Sequence, residues 1–376
     1  MTTLKVLDLN VWGIHYLAKR IRERLGFIAE EIKQYDIVGL QEVWSRQDYA
    51  FLVEKLHLCF PYSHHTHRGI IGSGLCVFSR YPIVTVCAHR FTINGSLPEI
   101  KDGEIFTGKS ILLCRIHTSA GDIAFYNTHT NPKNRDSQLL EVYQFVEATR
   151  GPLPVILVGD FNTKPTHLAY SILTKCLRLQ DVFQDDPVDT CDLKSNIFTE
   201  SHMTPKRIDF VLFSPCAALE LKDHRLALSG PIPGKPFPFS DHEGVEAVFL
   251  LKDKPVIPLS PKLSDEAIQV FNEISERLEA KKKKLLTNTF RVLSSFAITF
   301  ILCLLVIFTA CNHTLFLTLA SVNLHWLTTS CVGVVCAGGV VYVVHRFYTI
   351  RILNYLEANL CELRTLFENQ NYLRRS

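Results

Sequence analysis

The sequence lacks the patterns that identify several large classes of protein. Its 12 cysteines include no C-x-x-C pair, so no zinc or redox motif is indicated, and we interpret them as reduced thiols of a cytosolic domain. The 40 basic and 37 acidic residues leave a formal charge of +3, without the basic excess typical of nucleic-acid-binding proteins. Residues 1–5 contain no apolar stretch of the kind found in signal peptides, so export by that route is not expected.

Two patterns of catalytic proteins are also missing. The glycine-rich segment 68–79 contains no Gly-Lys-Ser/Thr sequence and no helical pattern follows it, so it predicts a turn into a strand over residues 75–78. No motif for a nucleophilic serine or cysteine is present. Water is therefore the attacking group that we expect in any hydrolysis.

Residues 4–251 alternate short apolar strands with amphipathic helices. Val155–Val158 is a predicted buried strand that leads through Gly159 to Asp160 and Asn162. On an extended backbone these two side chains point to the same side, although the pair could equally belong to a turn. The strand-rich centre predicts an α/β fold with two packed sheets rather than one doubly wound sheet.

Polar side chains also stand at five other predicted strand ends. Each has a plain structural explanation on its own, but their repetition at one kind of position favours a single site. Carboxylate and amide oxygens suit Mg²⁺, and histidines beside carboxylates suit phosphate charge stabilisation and acid–base chemistry. These residues are Asn10, Glu42, His129, Asp209, and Asp241 with His242.

Six ordered motifs resemble those of the endonuclease/exonuclease/phosphatase superfamily, and two of their contexts are most similar to the neutral sphingomyelinases. The resemblance covers residues 4–251. It implies a four-layer α/β/β/α sandwich, as in deoxyribonuclease I, that hydrolyses a phosphodiester with Mg²⁺. The motifs are Asn10-Val-Trp-Gly13, Gln41-Glu-Val-Trp44, Thr128-His129, Gly159-Asp-Phe-Asn162, Arg207-Ile-Asp209 and Ser240-Asp-His242.

The resemblance also implies catalytic roles. Asp160 would orient or deprotonate the attacking water. Asn162 and His129 would hold the phosphoryl oxygens. His242, oriented by Asp209, would act as an acid–base group or stabilise charge.

Metal binding is implied for three further residues. Glu42 would bind Mg²⁺ with Asn10 in its shell, and Asp241 would support the metal site.

The sequence departs from the family pattern at one position that concerns substrate recognition. The pattern predicts a longer segment after His129, with a second histidine and a Glu-Tyr pair. Here Thr130–Asn134 leads almost at once to Arg135, which leaves recognition of the substrate headgroup open.

The composition changes after residue 251. We predict a linker over 252–263, a juxtamembrane helix over 264–291, transmembrane helices over 292–311 and 324–344, and a cytosolic helix over 345–376. Each uncharged run is long enough to cross a hydrocarbon core of ~30 Å. Basic residues flank the outer ends of both runs, so the positive-inside rule predicts a two-helix hairpin with the catalytic domain facing the cytosol.

The leading hypothesis is an integral membrane protein, preferably of the endoplasmic reticulum, that hydrolyses sphingomyelin to ceramide and phosphocholine with Mg²⁺. The alternatives are a lysophospholipase C acting on lyso-platelet-activating factor or lysophosphatidylcholine, and a non-catalytic membrane scaffold. The expected partner is a membrane lipid rather than nucleic acid, and the oligomeric state is open. Phe237 and Phe239, just before Asp241, could enter the membrane interface or pack against the sandwich.

Overall fold

The computed structural model describes residues 2–15, 17–67, 71–94, 106–256, 262–313, 333, 349–367 and 369–370. Within these residues twelve strands form two sheets of six. In chain order the strands are β1 (Thr2–Asn10), β2 (Ile37–Gln41), β3 (Tyr62–Thr66), β4 (Leu75–Ser79), β5 (Ile83–Arg90), β6 (Ser110–Thr118), β7 (Gly121–His129), β8 (Val155–Asp160), β9 (Gln180–Asp181), β10 (Asp209–Phe213), β11 (Leu219–Ala227) and β12 (Gly244–Leu251). The first sheet has the order β11-β12-β1-β2-β4-β3, and the second has the order β5-β6-β7-β8-β10-β9.

Apolar side chains on the inner faces of both sheets form one shared core. Val6 and Val77 of the first sheet belong to the same buried cluster as Phe125, Val158 and Val211 of the second. Strands buried on both faces are expected to be apolar throughout, which explains the continuous run Val155–Val158 in β8. The core therefore lies between the sheets, as the sequence predicts.

Helices cover the two outer faces. They are α1 (Ile21–Glu31), α2 (Arg46–Leu56), α3 (Arg135–Thr149) and α4 (Leu168–Ser171), the last continued by a π-helical turn, Ile172–Cys176. Leu25 and Ile28 of α1 and Leu52 of α2 pack with the outer face of the first sheet. On the second sheet, Phe145 of α3 contacts Tyr126, and Tyr170 of α4 contacts Phe210. This arrangement confirms the predicted four-layer α/β/β/α sandwich.

A buried polar bridge crosses the core near one end. Asn127 of β7 donates its side-chain amide to the backbone oxygens of Leu40 and Cys76 on the opposite sheet, each at 3.0 Å. Gln41 donates to Asn127 at 2.8 Å and to Asp8 at 2.7 Å. Because buried polar groups are costly unless they are hydrogen-bonded, this bridge fixes one sheet against the other.

Strand directions bring the predicted site residues to one edge of the sandwich. β1 and β2 are parallel and pair Asn10 with Gln41, while β7 and β8 are parallel and pair His129 with Asp160. β10 is antiparallel to β8, so its first residue, Asp209, also pairs with Asp160. The carboxyl ends of the parallel strands therefore meet, which is the usual position of ligand sites in such sheets.

The chain beyond the sandwich continues as a single helix, α5 (Asp265–His313), whose first turn is capped by Ser264. α5 contains the predicted juxtamembrane helix and the predicted first span without a break between them. No helix in the described part of the chain combines the length and apolar content that a membrane span needs. The hairpin therefore stays a prediction, and its second span, 324–344, lies outside the described residues apart from Gly333.

The predicted cytosolic helix over 345–376 is described only in part, and its residues 349–367 are helical. The structure divides into two compact units. One unit comprises Met1–Ile274 with Gln370–Ser376, and the other comprises Ser275–Asn369.

Candidate active site

A network of close contacts joins all eight predicted site residues. Its centre is Asn10, whose side-chain amide donates to Glu42 at 3.2 Å and to Asp160 at 3.1 Å. The side-chain oxygen of Asn10 accepts from the backbone N–H of Trp12 at 2.9 Å, and its backbone oxygen accepts from Ser240 at 2.7 Å. Asn10 therefore links the ends of both sheets, because Glu42 follows β2 and Asp160 ends β8.

Tight backbone geometry positions Glu42. Its φ of 63° lies in the left-handed region, which non-glycine residues adopt rarely. Gly13 lies so close that a Cβ there would be 2.1 Å from the backbone oxygen of Glu42. The glycine of the Trp-Gly motif is therefore required by a close approach of two backbones, and it places the Glu42 carboxylate beside Asn10.

The Asp160–Asn162 pair forms a turn at the end of β8 and not an extended continuation of the strand, since Asn162 has a φ of 45°. Asp160 accepts from the backbone N–H of Asn162 at 2.9 Å, and the Asn162 side chain donates to the backbone oxygen of Thr130 at 3.0 Å. Burial, reinforced by the charge of Asp209, raises the pKa of Asp160 to about 7. A carboxylate with a pKa near neutrality is suited to general base catalysis.

His242 and Asp209 form a buried pair. Nδ1 of His242 donates to the Asp209 carboxylate at 2.9 Å, and Asp209 also accepts from the Thr190 hydroxyl at 2.6 Å. Burial alone would lower the pKa of His242, but the charges of Asp209, Cys191 and Asp241 raise it well above its ordinary value. The ring is therefore an imidazolium at neutral pH, able to stabilise charge or donate a proton from Nε2.

Lys109 was not predicted as a site residue. Its buried ammonium group lies 3.1 Å from Nε2 of His129 and donates to the backbone oxygen of Thr130 at 3.1 Å. Burial, followed by the charge of Lys109, lowers the pKa of His129 well below its ordinary value. His129 is thus a neutral ring 3.4 Å from Asp160, and Lys109 is the cation at this end of the site. The signal for Lys109 in the sequence is weak, since it is one basic residue preceding an apolar strand.

Other contacts were also not predicted. Thr190 holds Asp209, and Sγ of Cys191 lies 3.5 Å from Nε2 of His242. Both belong to the segment that connects β9 and β10. Asp8 lies in the buried bridge below the site, where burial and the charge of Asp209 raise the pKa of its carboxyl well above the usual range.

Two arrangements of metal-capable groups occur at this edge. The ligand atoms of Asp160, Asp209 and His242 all lie within 4.8 Å of one another. However, Asp209 and His242 are hydrogen-bonded to each other and buried, so a cation at this position would have to replace that bond. Cation binding at the second arrangement would leave the His242–Asp209 hydrogen bond in place.

The second arrangement consists of oxygen donors beside Asn10. Glu42 and Asp241 are only half-buried and thus open to solvent, and Asp160 accepts a hydrogen bond from the same Asn10 amide as Glu42 does. Burial, followed by the charge of Glu42, raises the pKa of Asp241 to about 6, although the charges of His242 and Arg24 act in the opposite direction. Carboxylate and amide oxygens are the ligands of hard cations, and the residues present therefore fit Mg²⁺.

One hypothesis about the site entrance is wrong. Phe237 and Phe239 do not extend toward solvent, because both are buried in the cluster formed with α1, α2 and the first sheet. Arg20 stacks on the ring of Phe237, 4.8 Å from its centroid. The two phenylalanines anchor the loop before Asp241 to the sandwich.

Comparison with known proteins agrees with this geometry. The model of the Endonuclease/Exonuclease/phosphatase family matches residues 9–242. Sphingomyelin phosphodiesterase 2 of Rattus norvegicus is 32% identical over 277 residues, covering 67% of this chain and 66% of that protein. Inositol phosphosphingolipids phospholipase C of Schizosaccharomyces pombe is 28% identical over 297 residues, covering 67% of this chain and 70% of that protein. The chain thus spans just under two thirds of the length of the rat relative.

The fold is also similar to solved structures. One is beta toxin from Staphylococcus aureus, a mutant crystallised with bound magnesium ions, which superposes with a TM-score of 0.52 at 19% identity over 65% of this chain and 99% of that chain. The fold, the ordered motifs and the family match over residues 9–242 agree. The chain is a member of the Endonuclease/Exonuclease/phosphatase family and is similar to the sphingomyelin phosphodiesterases.

Proposed function

We propose that the chain hydrolyses the phosphodiester of a sphingolipid in the manner of a phospholipase C, with sphingomyelin as the leading substrate. The products would be ceramide and the phosphorylated headgroup. The observation that carries the proposal is the buried His242–Asp209 pair within 4.8 Å of Asp160, beside the oxygen donors Glu42 and Asn10. The names of the rat and fission-yeast relatives support a sphingolipid as the substrate class.

The reaction needs a base for water and an acid for the leaving group. Asp160, with its pKa raised to about 7, accepts a proton from water as the water oxygen bonds to phosphorus. The bond from phosphorus to the ceramide oxygen breaks, and the His242 imidazolium donates a proton from Nε2 to that oxygen. Asp209 keeps the ring oriented through Nδ1.

Negative charge on the phosphoryl oxygens requires fixed donors. Asn162 supplies an amide, and Lys109 supplies a positive charge behind the neutral His129 ring. When bound, Mg²⁺ held by Glu42, Asn10 and Asp241 would neutralise phosphoryl charge and orient the phosphodiester.

Purified full-length protein in mixed micelles tests the proposal. Sphingomyelin, lysophosphatidylcholine and lyso-platelet-activating factor are supplied separately, with Mg²⁺ or with a chelator, and released phosphocholine is measured. We expect Mg²⁺-dependent hydrolysis of sphingomyelin and a loss of about 100-fold or more in His242→Ala. His57→Ala, an exposed histidine at the end of α2, is the matched control. Cleavage of no lipid would favour a non-catalytic scaffold, whereas full activity in His242→Ala would contradict the catalytic role of His242.

Membrane anchoring is the second part of the proposal. The second half of α5 exposes large apolar side chains, among them Ile298, Leu302 and Phe308. A surface of this kind is costly in water and favourable in lipid, which supports the hairpin predicted over 292–311 and 324–344. An anchor in the endoplasmic reticulum would hold the cytosolic domain beside a substrate that remains in the bilayer.

Extraction of cell membranes with alkaline carbonate tests the anchor. We expect the full chain to stay in the pellet and Leu302→Lys/Leu304→Lys to be partly released, because two charges within a span are costly. Protease added to intact microsomes should digest the N-terminal domain. Release of the parent chain by carbonate would contradict the anchor, and protection of the domain would contradict the orientation.

A further inference from the structure

A cleft of about 290 Å³ opens beside Asn162. Its walls come from the start of α3, from the turn after β8, and from the loop that includes Asp192 and Lys206. Pockets for small molecules measure about 300–1,000 Å³, so this cleft is just below that range. It has room for a lipid headgroup and not for a pair of long acyl chains.

The cleft is predominantly basic. Arg135, Lys164 and Lys206 line it against a single carboxylate, Asp192. Nζ of Lys206 lies 2.7 Å from the Asp192 carboxylate, so these two charges largely cancel. Among the described residues, Arg135 and Lys164 have no carboxylate partner, and their positive charges remain uncompensated.

The cleft shares a wall with the candidate active site. Arg135 donates from Nη1 to the backbone oxygen of Asn162 at 3.0 Å, while the Asn162 side chain is directed to Thr130. Asn162 thus belongs both to the candidate active site and to the wall of the cleft, which places the cleft next to a phosphate held by Asn162. The short segment Thr130–Asn134, where the family pattern predicts a longer one, brings Arg135 to this wall.

The chemistry of the walls separates the two substituents of a sphingolipid phosphodiester. The ceramide part is apolar and would leave Arg135 and Lys164 desolvated without a partner, which is unfavourable. The headgroup is polar and is therefore the substituent that binds in the cleft. Recognition of a quaternary ammonium group commonly uses aromatic rings, and no Trp, Tyr or Phe is among the described residues of the lining. Two uncompensated cations would in addition repel choline.

We propose that this cleft binds the headgroup of the lipid and selects a polyhydroxylated headgroup, such as phosphoinositol, over phosphocholine. Ring hydroxyl oxygens accept hydrogen bonds from the guanidinium of Arg135 and the ammonium of Lys164, and such charge-assisted bonds are stronger than neutral ones. The inference rests on the proposed sphingolipid hydrolysis and names the preferred substrate within it. This selection would place inositol phosphoceramide ahead of sphingomyelin, which the comparisons with relatives alone make the leading substrate.

A competition assay tests the selection. The full chain with Mg²⁺ is given equal amounts of inositol phosphoceramide and sphingomyelin in the same mixed micelles, and released inositol phosphate and phosphocholine are measured together. The ratio of the two rates reports the ratio of kcat/KM values. We expect the parent to favour inositol phosphoceramide. Lys164→Glu should lower the ratio about fivefold, which is the usual strength of an exposed charge interaction. Lys164→Arg keeps the charge and should keep the ratio.

The matched control is Lys222→Glu on β11, an exposed charge reversal that should leave the ratio unchanged. An equal or lower rate on inositol phosphoceramide in the parent would overturn the inference, as would an unchanged ratio in Lys164→Glu. If the cleft binds a bystander anionic lipid instead, added phosphatidylserine will raise both rates together and Lys164→Glu will abolish that rise without changing the ratio. Cleavage of neither lipid would overturn the proposed function itself.

Discussion

Nδ1 of His242 donates a hydrogen bond of 2.9 Å to Oδ2 of Asp209, and this bond joins the two sheets across the active-site edge. His242 precedes β12 of the first sheet, whereas Asp209 begins β10 of the second. The bond fixes the orientation of the ring and keeps it protonated despite burial. Proton donation by His242 therefore depends on correct docking of the two sheets.

Removing the charge of Asp209 tests this dependence. We expect Asp209→Asn to lower kcat by about 10²- to 10⁴-fold, because the ring loses the partner that orients and charges it. The pKa of His242, followed by NMR of its ring, should fall in the variant. Asp186→Asn is the matched control, since Asp186 forms an exposed bond of 2.9 Å with His224. A loss of activity with an unchanged His242 pKa would contradict the proposed role.

The pH dependence of hydrolysis should reflect the titration of the Asp160 carboxyl. Its pKa is raised to about 7 by burial and by Asp209, and only its deprotonated form can act as the base. We therefore expect kcat/KM to fall about tenfold per pH unit below this pKa. A bound cation stabilises the carboxylate, so saturating Mg²⁺ should move this acid limb to lower pH. In Asp209→Asn the limb should also move, because the repelling charge of Asp209 is removed and the compensating charge of His242 decreases with it. A limb that neither change moves would exclude Asp160 as its origin.

Glu42 can be tested through metal binding as well as activity. We expect Glu42→Gln to weaken Mg²⁺ binding by about tenfold or more, because the substitution removes an anionic ligand. The increase in Tm on adding Mg²⁺, measured without substrate, reports binding independently of turnover. Glu54→Gln, an exposed position on α2, should behave like the parent. Equal Mg²⁺ stabilisation in Glu42→Gln and the parent would remove Glu42 from the metal site.

The buried position of Phe237 makes a prediction about stability. We expect Phe237→Ala to lower the free energy of unfolding by about 3–5 kcal/mol, as is usual for large core side chains. Ile197→Ala, at a site 63% exposed, should change it by less than about 0.5 kcal/mol. Urea unfolding of the full chain in detergent measures both. A neutral Phe237→Ala with weakened binding to vesicles would instead support contact of Phe237 with the membrane.

Local pattern was sufficient to predict the strands that carry the site. β7 and β8 are apolar runs that end on polar residues, and this signal does not depend on the rest of the chain. The same holds for helix α3, whose apolar residues Leu139, Val142, Tyr143 and Val146 recur at helical spacing. The site residues followed from their repeated position at strand ends.

Three strands were missed for physical reasons. β11 at the edge of its sheet carries exposed charges such as Asp223 and Arg225, so it lacks the alternation of a half-buried strand. β3, with two histidines, is also a polar edge strand, and β9 has two residues. Lys109 was missed because its significance lies in a contact with His129, 20 residues away, which no local pattern encodes.

The polar bridge through Asn127 has a consequence for refolding. Each sheet supplies only half of the site, so neither sheet alone contains a working site. The first sheet and its adjoining turns carry Asn10, Glu42 and His242, and the second carries His129, Asp160 and Asp209. Hydrogen bonding within each sheet can restore circular dichroism before Asn127 reaches the oxygens of Leu40 and Cys76. The recovery of hydrolysis during refolding therefore reports the final docking of the two sheets. It should lag behind the recovery of β-structure.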